Sequence, residues 1–386
     1  MKIKKGLFFG AFMALAVFSG YAEEPESGER LSQDLYTRGT AYLDRGEYDQ
    51  AIADFNEVLR INPQDGETYN NRGLAYAGQG ELDRAITDYT QALKINPNLA
   101  EAYNNRGLAY AGQGKLDRAL EDYTQALRIN PNFAEACLNR GLARYFKGEL
   151  DQAIGDYTQA LRINPNFAEA YLNRGLARYF KGEADQAIAD YTQTLRIEPQ
   201  DTDAYYNRGI AYTDQGKLDQ AIVDFNQALR LRPQDADAYY NRGIAYYFKG
   251  ELYQAIADFN QALMLNPQDA EAYYNRGIAY ADQGNPYQAI ADFNQALRIN
   301  PNFAEAYNNR GITYAGQGRL DQAIGDFDQA LRINPNLADA YLNRGLAYQN
   351  KGDFARARRD WEQTLQFAPQ NANARQNLEV LRKAGY

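Results

Sequence analysis

Histidine is absent from all 386 residues, and cysteine occurs once, at Cys137. Without imidazole there is no His-based acid–base pair, no His-containing triad and no His metal ligand. A lone cysteine forms neither an intramolecular disulfide nor a thiolate zinc cluster. Serine is confined to Ser19, Ser27 and Ser32, so most of the chain lacks that nucleophile too. Positive charge is also short: 41 Lys and Arg face 50 Asp and Glu, a formal net charge of −9. Such a balance disfavours nucleic acid, whose phosphates need cations to neutralise them. These absences lead to an expectation of no catalysis, no metal site, no cofactor and no nucleic-acid partner.

Only the first 22 residues break the polar character. Met1-Lys2-Ile3-Lys4-Lys5 is basic, residues 6–18 are largely apolar, and Ser19-Gly20-Tyr21-Ala22 offers small residues for cleavage. This segment resembles a secretory signal peptide cut after Ala22, and it points to a periplasmic or secreted protein. An uncleaved N-terminal membrane anchor is the alternative. No cysteine follows the run, which argues against a lipoprotein. After cleavage no segment is apolar enough to span a bilayer.

What the chain does have is a period. Ten glycines recur every 34 residues from Gly39 to Gly345. With each of these set as position 8 of a repeat, position 15 is always Gly (Gly46 to Gly352) and position 20 always Ala (Ala51 to Ala357). Position 24 is always aromatic (Phe55 to Trp361), and position 32 always Pro (Pro63 to Pro369). A strict period of this length marks a stack of units, none able to bury its apolar face alone. Each unit reads as a helical hairpin. Gly at position 8 and Ala at position 20 let two helices approach beside the aromatic, Gly at position 15 suits the turn, and Pro ends the second helix. Asn98, Asn132, Asn166, Asn302 and Asn336, each followed three residues later by an acid, are expected to cap the next helix. Pro286, out of phase, falls where a helix start tolerates it. Cys137 replaces a position-4 tyrosine and is expected to be a small core residue.

With these residues the chain resembles the tetratricopeptide repeat (TPR) family. That resemblance implies an all-α fold, a right-handed α–α superhelix of ten helical hairpins, with first helices lining a concave peptide-binding groove. The expected boundaries are signal peptide 1–22, polar leader 23–31, ten TPR units 32–371 and a C-terminal capping helix 372–386.

One departure from the family pattern recurs. Position 7 is Arg in all ten units, from Arg38 to Arg344, and position 23 is Asp in all ten, from Asp54 to Asp360. Paired unusual charges predict a ladder of partly buried Arg–Asp pairs between helices, structural in role.

On the first helix, positions 2, 5, 6, 9, 12 and 13 lie opposite the core stripe, and the resemblance makes this the groove face. Position 6 is Asn nine times: Asn71, Asn105, Asn139, Asn173, Asn207, Asn241, Asn275, Asn309 and Asn343. An amide ladder can bond a peptide backbone without reading side chains. Asparagines resembling these contact ligand backbone in related repeats, including the repeat half of O-GlcNAc transferase. Bonding to a neighbouring helix is the open alternative. Units 4 to 8 add Leu138, Leu172 and the aromatics Tyr145, Phe146, Tyr179, Phe180, Tyr206, Tyr240, Tyr247, Phe248 and Tyr274. An apolar central groove is the expectation, with aromatics as anchors.

Position 2 is acidic from unit 2 to unit 10, which excludes a basic carboxylate clamp and favours neutral or basic segments. The sequence thus points to an exported, non-enzymatic protein–protein interaction scaffold that holds extended polypeptide. A polysaccharide-binding accessory to envelope polymer synthesis or export is the alternative.

Overall fold

The computed structural model describes residues 27–386, so the expected signal segment and the first four residues of the polar leader fall outside the described residues. There are 21 helices and no strand among the described residues. In chain order they begin with α1 (Ser27–Asp44), α2 (Tyr48–Ile61), α3 (Gly66–Gly78), α4 (Leu82–Ile95), α5 (Ala100–Gly112) and α6 (Leu116–Ile129). Next come α7 (Ala134–Phe146), α8 (Leu150–Ile163), α9 (Ala168–Phe180), α10 (Ala184–Ile197) and α11 (Thr202–Asp214). Then follow α12 (Leu218–Leu231), α13 (Ala236–Phe248), α14 (Leu252–Leu265), α15 (Ala270–Asp282) and α16 (Pro286–Ile299). The last are α17 (Ala304–Gly316), α18 (Leu320–Ile333), α19 (Ala338–Asn350), α20 (Phe354–Phe367) and α21 (Ala372–Lys383). Odd and even helices pair as hairpins, which group into two compact units: one ends at Asn207, the other runs from Arg208 to Tyr386. The first helix starts at Ser27, inside the stretch expected to be a leader.

Two glycine positions shape every hairpin. Position 15 lies at φ between 70° and 85° in all ten repeats, a left-handed turn that other residues resist. Position 8 faces the position-24 ring: a Cβ on Gly141 would sit 2.6 Å from Tyr157 Cε1. The rings themselves are fully buried, and the position-20 alanines show no exposed surface. Cys137, 1% exposed, joins the cluster of Tyr157, Ala153 and Ala170. Pro286 is the first residue of α16, as its missing N–H allows.

The Arg–Asp ladder is present in all ten repeats. Each guanidinium bonds the carboxylate 16 residues on, across the hairpin, as Arg72 does with Asp88 at 2.7 and 2.8 Å. The same two-oxygen grip recurs for Arg38–Asp54, Arg208–Asp224 and Arg344–Asp360. A third bond reaches back to position 25 of the preceding second helix, for example Arg72 to Asn56 at 2.6 Å and Arg106 to Thr90 at 3.1 Å. One residue therefore joins three helices. Burial works against the Arg242 charge, but Asp258 outweighs it and holds the guanidinium above its ordinary range. Burial likewise raises the Asp224 and Asp258 carboxyls even beside their arginines.

The expected asparagine caps are corrected. In those repeats the residue flanking the helix is Leu99, Phe133, Phe167, Phe303 or Leu337, with no side-chain cap. Asn98 instead donates its own N–H to Asn96 Oδ1 at 3.0 Å, forming a turn one residue too early to cap. Side-chain caps occur where the residue two beyond proline is Asp: Asp65 accepts from Glu67 and Thr68, and Asp269 from Glu271 and Ala272. At the far end α21 buries Ala374 and Leu381 against the Trp361 cluster, leaving Val380 half-exposed.

Two substitutions on one hairpin separate these roles. Gly141→Ala drives a Cβ into the Tyr157 ring and is expected to cost about 1–3 kcal/mol. Gly155→Ala, on the exposed side of α8, meets nothing within 4 Å and should stabilise by about 0.5–1 kcal/mol. Urea denaturation followed by circular dichroism measures both.

Candidate partner-binding surface

Position 6 directly precedes the arginine on the first helix, and in six repeats its amide nitrogen turns toward the preceding repeat. Asn71 donates to Tyr36 Oη at 2.9 Å, Asn105 to Asn70 Oδ1 at 3.1 Å and Asn139 to Asn104 Oδ1 at 3.0 Å. Beyond Arg208, Asn275 donates to Tyr240 Oη and Asn309 to Tyr274 Oη, both at 2.8 Å, and Asn343 to Asn308 Oδ1 at 3.2 Å. The partner is always position 5 of the repeat before. Where that position is Leu138 or Leu172, the amide has no such acceptor. Asn173 and Asn207 then donate to Glu169 O and Asp203 O of their own helices, at 2.9 and 2.8 Å. Asn241 makes the same turn-back to Asp237 O at 2.9 Å. The ladder's amide donors thus serve register between and within first helices.

Position 5 is correspondingly internal. Tyr206 and Tyr240, expected on the groove surface, are 1% and 4% exposed. The Tyr240 ring lies 5.9 Å from Phe259, and half-buried Tyr274 lies 4.7 Å from Phe303. At this depth Tyr206 and Tyr240 act through packing, while Tyr274 keeps part of its surface exposed.

Positions 12 and 13 do reach the surface. In the unit ending at Asn207, Tyr145 packs edge-on to Phe146 at 5.6 Å and lies 6.0 Å from Phe180, which meets Tyr179 at 5.8 Å. Phe146 and Phe180 are 43% and 41% exposed. The tyrosines support them from below: Tyr145 packs against both the Tyr157 and the Tyr191 clusters. In the unit from Arg208 on, Tyr247 pairs with Phe248 at 5.7 Å and donates to Asp282 Oδ2 at 2.6 Å. Phe248 is 65% exposed. Burial pushes the Tyr145 and Tyr247 hydroxyls up to about 12, so both stay protonated donors at neutral pH.

Acidic position 2 completes the face. Burial pushes Glu169 up to about 7, with the charge of Glu198 adding to it. The rim around Glu169 therefore changes charge close to neutrality.

Family models described as TPR repeat match residues 39–80, 78–114, 141–182, 177–213, 209–250, 245–284 and 313–352. Models described as tetratricopeptide repeat match 100–133, 270–303, 293–325 and 338–371. The chain belongs to the tetratricopeptide repeat family. TPR proteins bind protein or peptide partners, and the fold is that of an interaction scaffold. Among solved structures, the C-terminal part of a TPR repeat-containing protein from Cytophaga hutchinsonii is similar at 18% identity, TM-score 0.51, over 61% of this chain and 97% of that one. YrrB, described as a TPR protein with an unusual peptide-binding site, matches at 26% identity, TM-score 0.41, over 48% of this chain and 95% of its own. MamA matches at 32% identity, TM-score 0.41, over 42% and 96%. No curated protein matches the chain. No described helix is long and apolar enough to cross a membrane.

Sequence reasoning missed a second set of TPR junction bonds. Position 14 donates across the repeat junction to the position-18 aspartate of the preceding second helix, as Gln79 does to Asp49 at 2.7 Å and Lys147 to Asp117 at 2.8 Å. The signal was available: position 18 is Asp in repeats 1 to 6 and 9, but Tyr253 and Tyr287 in repeats 7 and 8.

The Glu169 carboxyl gives a pH test. Its folded value lies above its ordinary 4.5, so the folded chain keeps a proton that the unfolded chain loses. Stability from this group is full below about pH 4.5 and is lost as pH rises through about 7. Glu169→Gln, which cannot ionise, should gain in melting temperature relative to wild type between about pH 5 and pH 8. A constant difference between the two proteins would contradict the assignment.

Proposed function

We propose that the chain is an exported, non-enzymatic scaffold that holds extended, neutral to basic polypeptide segments on the faces of its first helices. The observation that carries this reading is the exposure of Phe146, Phe180 and Phe248, each backed by a tyrosine that packs into the frame. A ring half in solvent and fixed from behind offers contact area at little entropic cost, which suits an anchor. Position 2 carries an acid three turns away along the same first helices, as at Glu135, Glu169 and Asp237, and favours basic or neutral segments over acidic ones. Export rests on the basic, apolar and small-residue order of residues 1–22. Absence of catalysis rests on the missing histidine and on a lone cysteine that is buried, its thiol pushed up to about 11 by burial. The asparagine ladder enters this function by holding first helices in register, with its donors already bonded to the frame.

A photo-crosslinking amino acid placed at Phe146, Phe180 or Phe248 in the native cell is expected to capture polypeptide, while one at Ala189, exposed on α10, captures none. Capture of polysaccharide instead would support the envelope-polymer alternative. Phe248→Ser should weaken the captured partner's binding by about 2 kcal/mol without lowering the melting temperature. Equal labelling at Ala189 would remove the basis for the proposal.

A further inference from the structure

Two repeats break the junction bond in the same way. Elsewhere a position-14 donor is held by a position-18 aspartate, as at Gln113–Asp83 at 2.8 Å, Lys181–Asp151 at 2.7 Å and Lys249–Asp219 at 2.9 Å. After repeats 7 and 8 the acceptor is replaced by Tyr253 and Tyr287, and Gln283 Nε2 and Gln317 Nε2 are left buried with no hydrogen-bond partner. Flipping the amides offers no relief, because Asn285 already donates to Gln283 Oε1 and Arg319 to Gln317 Oε1. The replacing rings gain nothing from the frame either: Tyr253 is 79% and Tyr287 77% exposed. A change that strands buried donors and puts aromatic rings in water breaks a local rule with no return inside the fold.

The same helix breaks a second rule. Position 29 is Lys or Arg in eight repeats, but in repeat 7 it is Met264, 74% exposed. The only charged residue left on α14 is Asp258, which is buried and held by Arg242. Tyr253, Ala257, Asn260 and Met264 follow one another at spacings of four, three and four, a single stripe on the outer side of the helix. That stripe is symmetric about its middle. Turned end for end it places Tyr253 against Met264 and small Ala257 against Asn260. Bulk lies at the ends and little at the crossing, which allows close helix approach and sulfur–aromatic contact. The two-fold that does this lays each flanking helix on its own copy. Asp219 then faces Arg230 on α12, and Tyr287 faces Arg298 on α16, where opposite charge and a cation over a ring both favour contact.

We propose that the outer face of α14, with Tyr287 of α16 at its flank, docks a second copy of this chain in an antiparallel pair. The net charge of −9 makes two copies repel over most of their surface, so a contact needs a face free of like charge, and α14 supplies one. Depletion of charge with enrichment of Tyr and Met is also the composition of an interface core. This surface is separate from the one assigned above to polypeptide segments, and its test does not depend on that reading.

Sedimentation equilibrium of the full chain is expected to show a monomer–dimer equilibrium. Tyr253→Asp with Met264→Glu sets like charges opposite each other across the pair, and should raise the dimer dissociation constant at least tenfold. The melting temperature should not fall, because an aspartate at 253 restores the acceptor that Gln283 lacks. Oxidation of a Tyr253→Cys, Met264→Cys double variant should give a covalent dimer. Tyr253→Cys alone should not, since the two 253 positions lie about 16 Å apart at a rise of about 1.5 Å per residue. A chain that stays monomeric overturns the proposal, and retention of that monomer on a neutral-glycan resin would assign the face to sugar instead. A dimer unaffected by the charge variant, or one that the cysteine pair fails to cross-link, equally overturns it.

Discussion

One guanidinium per repeat holds the structure together. The position-7 arginine grips an aspartate on its own second helix through two parallel bonds and, in most repeats, reaches back to position 25 of the repeat before. Two planar bonds fix an angle as well as a distance, which a lysine could not do. The angle matters because glycine at position 8 and the ring at position 24 touch with no room to spare. Both charges are largely withdrawn from water in every repeat but the first, where no described helix packs ahead of Arg38 and its side chain stays 59% exposed. Such pairs contribute modest net stability yet are costly to halve. Their worth lies in specifying one packing, repeated ten times.

Against that frame, residues that depart from the period separate into two kinds. Some are absorbed. Arg144 and Arg178, at a position otherwise held by tyrosine, add a bond to Asp156 and Asp190 at 2.7 and 2.8 Å. Others are left unabsorbed: the exposed Phe146, Phe180 and Phe248 on first helices, and Tyr253, Met264 and Tyr287 on second helices. Natural sequences keep local choices consistent with the fold. The unabsorbed departures are therefore the places to look for partners.

The hairpins, their turns, the buried rings and the Arg–Asp ladder were all legible in the sequence, because each follows from a residue type repeated at one position. What was not legible depended on register between repeats. The asparagine ladder could bond a ligand or a neighbour, and where its donors go depends on what stands 35 residues before, as Tyr240 does for Asn275 and Leu138 for Asn173. A helical wheel placed Tyr206 and Tyr240 on the open face, whereas both rings are buried, and Asn275 of the next first helix bonds the Tyr240 hydroxyl. The caps failed for a related reason: the Asn-Pro-Asn turn uses its asparagines within the turn, one residue short of the helix.

The central claim, that the arginine pairs specify packing more than they stabilise it, is tested most directly by a double-mutant cycle on Arg242 and Asp258. Arg242→Met and Asp258→Leu are each expected to lower unfolding free energy in urea by about 3–5 kcal/mol, through the charge left buried. Combined, the two should cost less than either alone. Single substitutions that are nearly neutral, or that simply add, would contradict the account.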